Sequence, residues 1–388
     1  MKPLPRFIFS IKHVVVTLTA MLLMWLCVQG FLLSISFLNP VERAFDNFRM
    51  TDLFYEIESR NKSGHTNDVI TLVDMSREFS RSRLGDIISQ IDAMNPALLG
   101  VDIVFDGIRD DQVGNHHLLD CIREATIPIV WAYQLENWNN ERQEFDSIYH
   151  SFFADSLDIM EGYTNMSRNM VRSFGLWRKA KGQVEYSLPA RMAMQFTGDS
   201  SFLQHEDCNI RFSSTQFHVV PCDSLDDYSD LITGHIVLLG ATKDKRDVHY
   251  TPIGLIPGPH IQAYALLTII NNEFPREVPG GLTLLLTFLF MWVSEILQVG
   301  ATAFMSARRR WFPQMLGQQD LVAGLVAGGY IVVLVAIDYY LFVRTGYFFN
   351  SGWAVMGIAL QDTARKWYPI MLESPGKIRN LISKQPLP

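Results

Sequence analysis

The 388-residue sequence contains none of the short motifs that usually mark an enzyme. It has no glycine loop followed by lysine, no His-Glu-x-x-His zinc motif and no Gly-x-Ser-x-Gly nucleophile elbow. The adjacent His116 and His117 would diverge on a helix, so they make a poor metal pair. We therefore predict no catalytic residues, no metal site and no cofactor, and we expect that the protein is not an enzyme.

Basic residues are sparse in the middle of the chain. From Pro40 to Gly280 there are 35 acidic and 21 basic residues, whereas the remaining chain has 5 acidic and 12 basic residues. A domain with few Lys and Arg residues is a poor match for nucleic acid, so we expect no nucleic-acid partner.

Cysteine is sparse as well, with four residues in the chain. Two of them, Cys208 and Cys222, flank a predicted hairpin formed by residues 209–212 and 217–220. A disulfide across this hairpin is geometrically feasible in an oxidising compartment. Two free thiols fit the sequence equally well.

Long apolar runs lie at both ends of the chain. Val14–Phe37 is uncharged over 24 residues, enough to cross a hydrocarbon core of roughly 30 Å. It is longer than the core of a cleavable signal peptide and lacks a small-residue cleavage pattern, which favours a retained anchor over a cleaved signal. Leu282–Met305 and Leu321–Phe342 predict two more membrane helices, and 345–362 predicts a shorter fourth.

The distribution of positive charge predicts how these segments are oriented across the membrane. Lys and Arg concentrate before the first run and after the second and fourth, and such enrichment marks the cytoplasmic side. We predict a bacterial inner-membrane protein whose two termini are cytoplasmic and whose acidic domain is periplasmic. The predicted segments are a cytoplasmic N-terminus (1–13), membrane helices (14–37, 282–305, 321–342 and 345–362), an extracytoplasmic domain (40–280), a cytoplasmic loop (306–320) and a cytoplasmic tail (363–388).

Two acidic residues, Glu295 and Asp338, fall within predicted membrane helices. Burying a charge in lipid is costly, so such residues are candidates for a signalling role. The alternative is a structural position near the membrane interface, because Glu295 lies in the inner half of its helix and Asp338 adjoins Tyr339 and Tyr340.

The acidic stretch alternates between strand and helix patterns. Val69–Val73, Ala97–Phe105 and Ile127–Tyr133 are aliphatic runs separated by amphipathic helices, which predicts a βαβαβ core. We expect an α/β domain with a mixed, largely parallel sheet and helices on both faces. Residues 134–174 are less regular and fit an insertion or a set of edge strands. Further elements are predicted at 188–196 (helix), 236–239 (strand) and 260–271 (helix).

Four segments, in order, resemble the CHASE domain of the second class (CHASE2). They are Val73–Ser76, Leu99–Phe105, Gly234–Thr242 (followed by Asp247 and Thr251-Pro252) and Gly258–Ala263. This family is an extracellular sensory domain associated with bacterial cyclases and histidine kinases, with one anchor before it and three membrane helices after it. The resemblance covers about residues 40 to 360. It implies a sensor, and a homodimer because relatives signal as dimers.

The sequence departs from the family pattern at three places. Ser80–Arg83 replaces a Trp-Pro-rich segment, and only Arg81 matches its final arginine. Gln262 replaces the usual histidine, so the neighbouring His260 does not inherit that role. The family usually carries a kinase or cyclase after the last helix, whereas 28 residues follow here. We therefore expect a separate cytoplasmic or membrane protein to supply the output.

Candidate ligand contacts come from sheet geometry, because ligands collect at the carboxyl ends of parallel strands. Asp74 closes the first predicted strand and Asp106 the second. Asp102 lies inside the second predicted strand and fits either a core position paired with an arginine such as Arg81 or a place in the pocket. The full set of candidate ligand-binding residues is Asp74, Asp102, Asp106, Gly240, Thr242 and His260.

Three functions follow from these observations, in decreasing order of support. The first is a membrane-anchored regulator that senses an unknown extracytoplasmic ligand and acts on a separate partner. The second is a structural or assembly protein of the cell envelope. The third is an extracytoplasmic enzyme, for which the sequence offers carboxylates without an evident nucleophile.

Overall fold

The computed structural model describes residues 10–34, 49–60, 66–77, 80–108, 111–167, 169–307 and 319–369. The chain divides into two compact units. The central unit is Asp52–Pro275, which lies within the acidic stretch 40–280, and the terminal unit combines the residues before and after it. The described α-helices, α1 to α9, are Ile11–Ser34, Met50–Arg60, Arg81–Ala93, Gln112–Glu124, Leu188–Thr197, Gly258–Ile270, Gly280–Ala307, Gln319–Thr345 and Gly352–Ala359.

One nine-stranded sheet dominates the central unit, in the order β10-β1-β11-β2-β3-β4-β7-β8 with β5 also paired to β3. The row from β10 to β3 is entirely parallel, whereas β4 and β8 each join an antiparallel pair. The prediction of an α/β domain with a mixed, largely parallel sheet is confirmed. Strands β1 to β13 are Thr66–Asp74, Leu98–Val101, Ile129–Asn139, Glu144–Tyr149, Met160–Tyr163, Ser173–Gly175, Trp177–Ala180, Gln183–Tyr186, Asp207–Asn209, Gln216–Pro221, Ile236–Gly240, Val248–Thr251 and Gly254–Pro257.

The middle strands are uninterrupted aliphatic runs because they are covered on both sides. Every residue of β2 and of β11 is buried. Helix α3 begins after Ser80, whose hydroxyl caps the backbone N–H of Arg83. Its Ile87 and Ile91 pack into the same apolar cluster as the strands. This packing fixes the register of β2 and β11, whose ends carry the candidate site.

Two sequence predictions about these strands are wrong. The strand predicted at 97–105 ends at Val101, so Asp102 follows the strand instead of lying inside it. The predicted hairpin at 209–212 and 217–220 does not form, since β9 pairs with β6 and β10 pairs with β1. The backbone hydrogen bonds of β9 and β10 are made with strands that are distant in the chain, and no local sequence pattern encodes such pairing. Cys208 and Cys222 consequently do not face each other across a hairpin, and both are free thiols.

Three helices of the terminal unit are long and apolar enough to cross a membrane: Ile11–Gln29, Gly280–Ser306 and Asp320–Thr345. They correspond to three of the four predicted spans. The fourth predicted span, 345–362, is not confirmed, because α9 has eight residues and covers only about 12 Å. The chain then continues as a helical segment at 361–369. Side chains from α1, α7, α8 and α9 share one apolar cluster, and β14 (Arg276–Glu277) pairs with β15 (Tyr347–Phe348).

Candidate functional site

The candidate site lies at the carboxyl edge of the parallel sheet, where β1, β11 and β2 end side by side. Asp74 is in register with Gly240, and the backbone N–H of Asp102 donates to the carbonyl of Leu239 at 2.8 Å. Helix α6 begins at this same edge. The structure therefore brings together five of the six candidates, Asp74, Asp102, Gly240, Thr242 and His260, whereas Asp106 lies elsewhere. Their role in binding a ligand stays a prediction.

Asp74 is the best-supported carboxylate of this edge. Its Oδ1 accepts hydrogen bonds from the backbone N–H and hydroxyl of Thr242 at 3.2 and 2.7 Å. The same oxygen accepts from the backbone N–H and hydroxyl of Ser76 at 3.2 and 2.5 Å. Lys243 Nζ lies 3.0 Å from Oδ2. Asp74 thus joins the turn after β1 to the loop after β11.

These contacts also set the charge of Asp74. Burial raises the pKa of its carboxyl, but the hydrogen bonds from Ser76, Thr242 and Lys243 and the charge of Lys243 outweigh burial, so the pKa lies below its ordinary value. Asp74 is therefore ionised throughout the neutral pH range. A carboxylate with this many protein partners has little capacity left to bind a ligand.

Asp102 has the opposite environment. Among the described residues, nothing donates a hydrogen bond to its carboxylate, and Asp247 is its charged neighbour. Burial, followed by repulsion from Asp247, raises the pKa of Asp102 to about 7. The suggested partnership with Arg81 is wrong, because that arginine binds a different loop.

Two glycines bring α6 close to this edge. A Cβ atom on Gly240 would lie 2.7 Å from Cγ of Pro259 and 3.4 Å from Cβ of Asp102. A Cβ atom on Gly258 would collide with the carboxylate of Asp247. The Gly258 N–H also donates to the backbone carbonyl of Asp247 at 3.1 Å. The absence of side chains at 240 and 258 therefore lets Pro259 pack on the end of β11 and lets Gly258 pack on the carboxylate of Asp247.

His260 lies on that first turn and is half-buried. Its Nδ1 is buried and has no hydrogen-bond partner among the described residues. Burial lowers the pKa of the imidazole, and the charge of Asp74 opposes this effect only in part. A neutral imidazole is therefore the dominant form at neutral pH.

Asp106 belongs to a separate, exposed loop. Its carboxylate accepts a hydrogen bond from the Tyr149 hydroxyl. The loop is held by the buried Arg81, which donates to the backbone carbonyls of Asp106 and Gly107 and to the Asn115 side chain. The Arg81 guanidinium also lies 4.2 Å from the centre of the Phe152 ring. Asp106 lies beyond the carboxyl edge of the sheet because β2 ends four residues earlier than the sequence predicted.

Sequence reasoning missed four polar residues of the edge: Ser76, Lys243, Asp247 and His249. Ser76 and Lys243 both contact Asp74 or its loop, and Lys243 N–H donates to the Ser76 hydroxyl at 2.6 Å. His249 Nε2 lies 3.1 Å from Oδ1 of Asp247. Asp247 and Ser76 belong to the segments that resemble the family, and this resemblance was the only sequence feature that could have marked them as site residues.

Two buried ion pairs attach α2, at the beginning of the central unit, to the rest of that unit. Asp52, its first residue, receives two hydrogen bonds from Arg172 at 2.8 and 2.6 Å. Nearly two helical turns further along α2, Glu58 pairs with Arg211 at 2.7 Å. All four side chains are at least 85% buried. Both pairs therefore hold α2 firmly on the rest of the unit.

The segment around β9 also holds the end of the central unit. The side-chain amide of Asn209 donates to the carbonyl of Pro275 at 2.9 Å, and the Arg211 N–H donates to the Thr268 hydroxyl on α6 at 2.9 Å. Tyr55 on α2 donates to the carbonyl of Ile210 at 2.9 Å. Residues 209–211 thus contact both α2 and the far end of α6.

Two of the cysteines of this unit, Cys208 and Cys222, lie in surroundings that disfavour the thiolate form. Burial is the largest cause of a raised pKa for the thiols of Cys208 and Cys222, and neighbouring aspartates add to it. A thiol with a raised pKa holds little of the nucleophilic thiolate.

The two acidic residues that lie within predicted membrane helices, Glu295 and Asp338, both have partners. Glu295 is fully buried and pairs with Arg365 at 2.7 Å, with His13 Nδ1 3.6 Å away. Asp338 accepts backbone N–H hydrogen bonds from Phe349 at 3.3 Å and Ser351 at 3.2 Å, just before α9. Asp338 therefore ties the loop before α9 to α8. A signalling role for either residue stays a prediction.

In a comparison against protein families, the CHASE2 domain matches residues 20–297. The chain belongs to the CHASE2 family. CHASE2 is a sensory, extracellular domain, and the match includes the whole central unit together with parts of α1 and α7. Neither the curated proteins nor the solved structures contain a match to this CHASE2 protein.

Proposed function

We propose that this CHASE2 protein is a membrane-anchored regulator that detects an extracytoplasmic cue and passes it through its helices to a separate partner protein. The observation that carries the proposal is the family match over residues 20–297, which joins the sensory domain to apolar helices on both sides. We place it in the bacterial inner membrane as a multi-pass protein with cytoplasmic termini. In this proposal the protein catalyses no reaction of its own and functions as a homodimer.

The internal contacts of the central unit supply a route for the cue. Helix α6 begins at the carboxyl edge of the sheet, next to Asp102 and Asp247, and ends beside the segment 209–211. That segment also contacts α2 through Tyr55 and the Arg211–Glu58 pair. A movement of α6 would therefore reach α2 and Pro275, the two ends of the central unit.

Recovery of partners from detergent-solubilised membranes tests this function. The full chain and a variant lacking residues 363–388 are each used as bait. We expect the full chain to recover a cytoplasmic or membrane protein and the shortened variant to recover less of it. If neither bait enriches any cytoplasmic or membrane protein, a regulator that acts on a separate partner is ruled out.

A role in envelope assembly is the second candidate, and one surface favours it. The hairpin of β12 and β13 exposes Tyr250 (66%) and Leu255 (57%). Exposed apolar side chains on a soluble domain can mark docking sites. The double variant Tyr250→Ser, Leu255→Ser separates the two candidate functions. Loss of every extracytoplasmic partner with unchanged cytoplasmic partners supports a role in assembly. Under the regulator hypothesis, the recovery of a cytoplasmic or membrane partner should change in this variant.

A further inference from the structure

A cavity of about 390 Å³ lies where β3 and β5 begin, at the amino edge of the sheet, and we call it the amino-edge cavity. Ile129 and Trp131 of β3 and Met160 of β5 line it, and the two β3 residues are buried. Small-molecule sites usually have volumes of about 300–1,000 Å³ and mostly apolar walls. At the carboxyl edge, in contrast, Asp74 already accepts four hydrogen bonds from the protein. The amino-edge cavity is therefore the stronger candidate for a ligand site.

Two further segments complete the apolar lining of the amino-edge cavity. Ile122 and Ala125 come from the end of α4, and Leu157 and Ile159 come from the residues just before β5. All four side chains belong to the main apolar cluster of the central unit or pack against it. An apolar group that enters the cavity would therefore exchange water for contacts with this cluster, which is favourable.

The lining segments are held in place by contacts within the central unit. The Asp92 carboxylate on α3 accepts hydrogen bonds from the backbone N–H groups of Thr126 and Ile127 at 2.8 and 2.9 Å. The ring of Trp131 packs edge-on against that of Phe153, with 5.0 Å between the ring centres. Because the site is formed without a ligand, binding would cost little ordering of the protein.

Two charged side chains of opposite sign line the same cavity. Arg123 is at the end of α4 and Asp158 is in the segment before β5, and both are exposed. Arg123 makes a 3.2 Å contact with Asp120, but such an exposed pair is weak. A ligand with only a carboxylate would bring its charge near Asp158, and a ligand with only an ammonium group would bring its charge near Arg123. A zwitterion with an apolar body matches both charges and the lining.

We propose that the amino-edge cavity binds a free α-amino acid with an apolar side chain. The apolar side chain enters the lining beside Trp131, the carboxylate pairs with Arg123, and the ammonium group pairs with Asp158. This inference rests on the proposed sensory function and names the chemical class of its cue.

Equilibrium dialysis of the full-length protein in lipid nanodiscs tests the proposal. The probes are radiolabelled L-leucine, L-methionine and L-phenylalanine, and we expect saturable binding of at least one. The decarboxylated and deaminated counterparts of that probe, which are isoamylamine and isocaproate for L-leucine, are then used as competitors. Each lacks one charge-assisted contact and should bind at least about tenfold more weakly than the amino acid.

Four variants assign the contacts. Arg123→Gln should weaken the amino acid and the deaminated acid but leave the amine unchanged, whereas Asp158→Asn should weaken the amino acid and the amine but leave the acid unchanged. Ala125→Leu fills the cavity, keeps both charges and should abolish binding of all three compounds. Asp155→Asn changes an exposed carboxylate of the same segment that does not line the cavity, so this control should bind as the wild type does.

Three results would overturn the proposal. They are the absence of binding for all three amino acids in the folded wild type, equal affinity for the amino acid and one of its counterparts, and unchanged binding in both charge variants. The charge variants alter exposed residues, so they decide the question if Ala125→Leu fails to fold. Binding is measured without a partner. Its failure with partner recovery intact would reject only the amino-acid cue, whereas binding without any recovered partner would reject the regulator and keep the site.

Discussion

The buried carboxylate of Glu295 is bound by the guanidinium of Arg365, with Nη2 at 2.7 Å from Oε2 and Nε at 3.3 Å from Oε1. Arg365 Nη2 also donates to Gln298 at 2.9 Å, and Gln298 donates to Gln361 at 2.9 Å. The segment 361–369 is thus attached to α7 by a buried polar network. It was predicted in part as cytoplasmic tail, yet in the structure it supplies the counter-ion for Glu295.

Removing the cation of this pair should destabilise the terminal unit. Arg365→Ala leaves the Glu295 charge buried without its main partner, which typically costs about 3–5 kcal/mol. We expect a clearly lower Tm in detergent. Adding Glu295→Gln to Arg365→Ala should restore much of the loss, because the buried group is then neutral. Arg344→Ala, whose side chain stacks 5.8 Å from the exposed Tyr340 ring, is the control and should change Tm little.

Asp74 should stabilise the central unit in a pH-dependent way. Its pKa in the folded protein lies below the unfolded value, so its contribution is present above about pH 4 and is lost as pH falls through the folded pKa. Asp74→Ala also leaves Thr242 and Ser76 without their acceptor, at about 1–3 kcal/mol. Unfolding curves at pH 7 and pH 3 should show a large difference from wild type only at pH 7. An equal deficit at both pH values would contradict the ionic role.

For Asp102 we predict the opposite dependence of protein stability on pH. Its pKa of about 7 in the folded state lies above the unfolded value of about 4. The folded protein therefore binds the extra proton, and stability falls as pH rises from about 4 to 7 and then levels off. Asp102→Asn should remove this slope. Thermal unfolding of the full chain at pH 5, 6, 7 and 8, compared with Asp106→Asn, measures it.

Gly240→Ala should weaken the contact between α6 and the sheet. The new methyl would lie 2.7 Å from Cγ of Pro259, and overpacking of this kind costs about 1–3 kcal/mol. We expect faster exchange of the amides in the first turn of α6. Gly281→Ala, at which a Cβ atom meets nothing within 4 Å, is the control. Unchanged exchange in Gly240→Ala would mean that Pro259 moves without affecting the helix.

The ion pair between Arg172 and Asp52 should hold α2 far more strongly than an exposed pair would. Both side chains are 13% exposed and the contact is bidentate. Arg172→Ala should therefore raise hydrogen exchange across residues 52–60. Arg123→Ala removes an exposed pair with Asp120, which is worth only about 0–1 kcal/mol, and should leave its helix unchanged. Similar effects from both variants would argue against a fastening role for Arg172.

The features that sequence predicted well depend on local periodicity and on solvent preference. The aliphatic runs at Val69–Val73 and Ile236–Leu239 became central parallel strands, because only a strand covered on both faces tolerates such continuous apolarity. The amphipathic pattern from Leu84 to Ile91 became α3. The convergence of Asp74, Gly240 and Thr242 followed from the rule that parallel strands end at one edge.

The predictions that failed depended on distant partners. Residues 209–212 and 217–220 were expected to pair with each other, but β9 and β10 each pair with a strand more than 30 residues away in the chain. Arg81 was a reasonable partner for Asp102 until its hydrogen bonds to Asn115 and the Asp106 loop were known. No short-range pattern distinguishes one edge strand or one carboxylate from another.

The sequence by itself determined the division between an acidic sensory domain and apolar helices, because hydropathy and charge are properties of the residues themselves. Only the tertiary structure decided the chemical state of each acid. Asp74 and Asp102 are the same residue type at the ends of the two strands that flank β11, yet donors surround the first and Asp247 is the charged neighbour of the second. Glu295 likewise has a counter-ion 70 residues away in the chain. Charge is encoded locally, whereas pairing and desolvation arise only when remote segments meet.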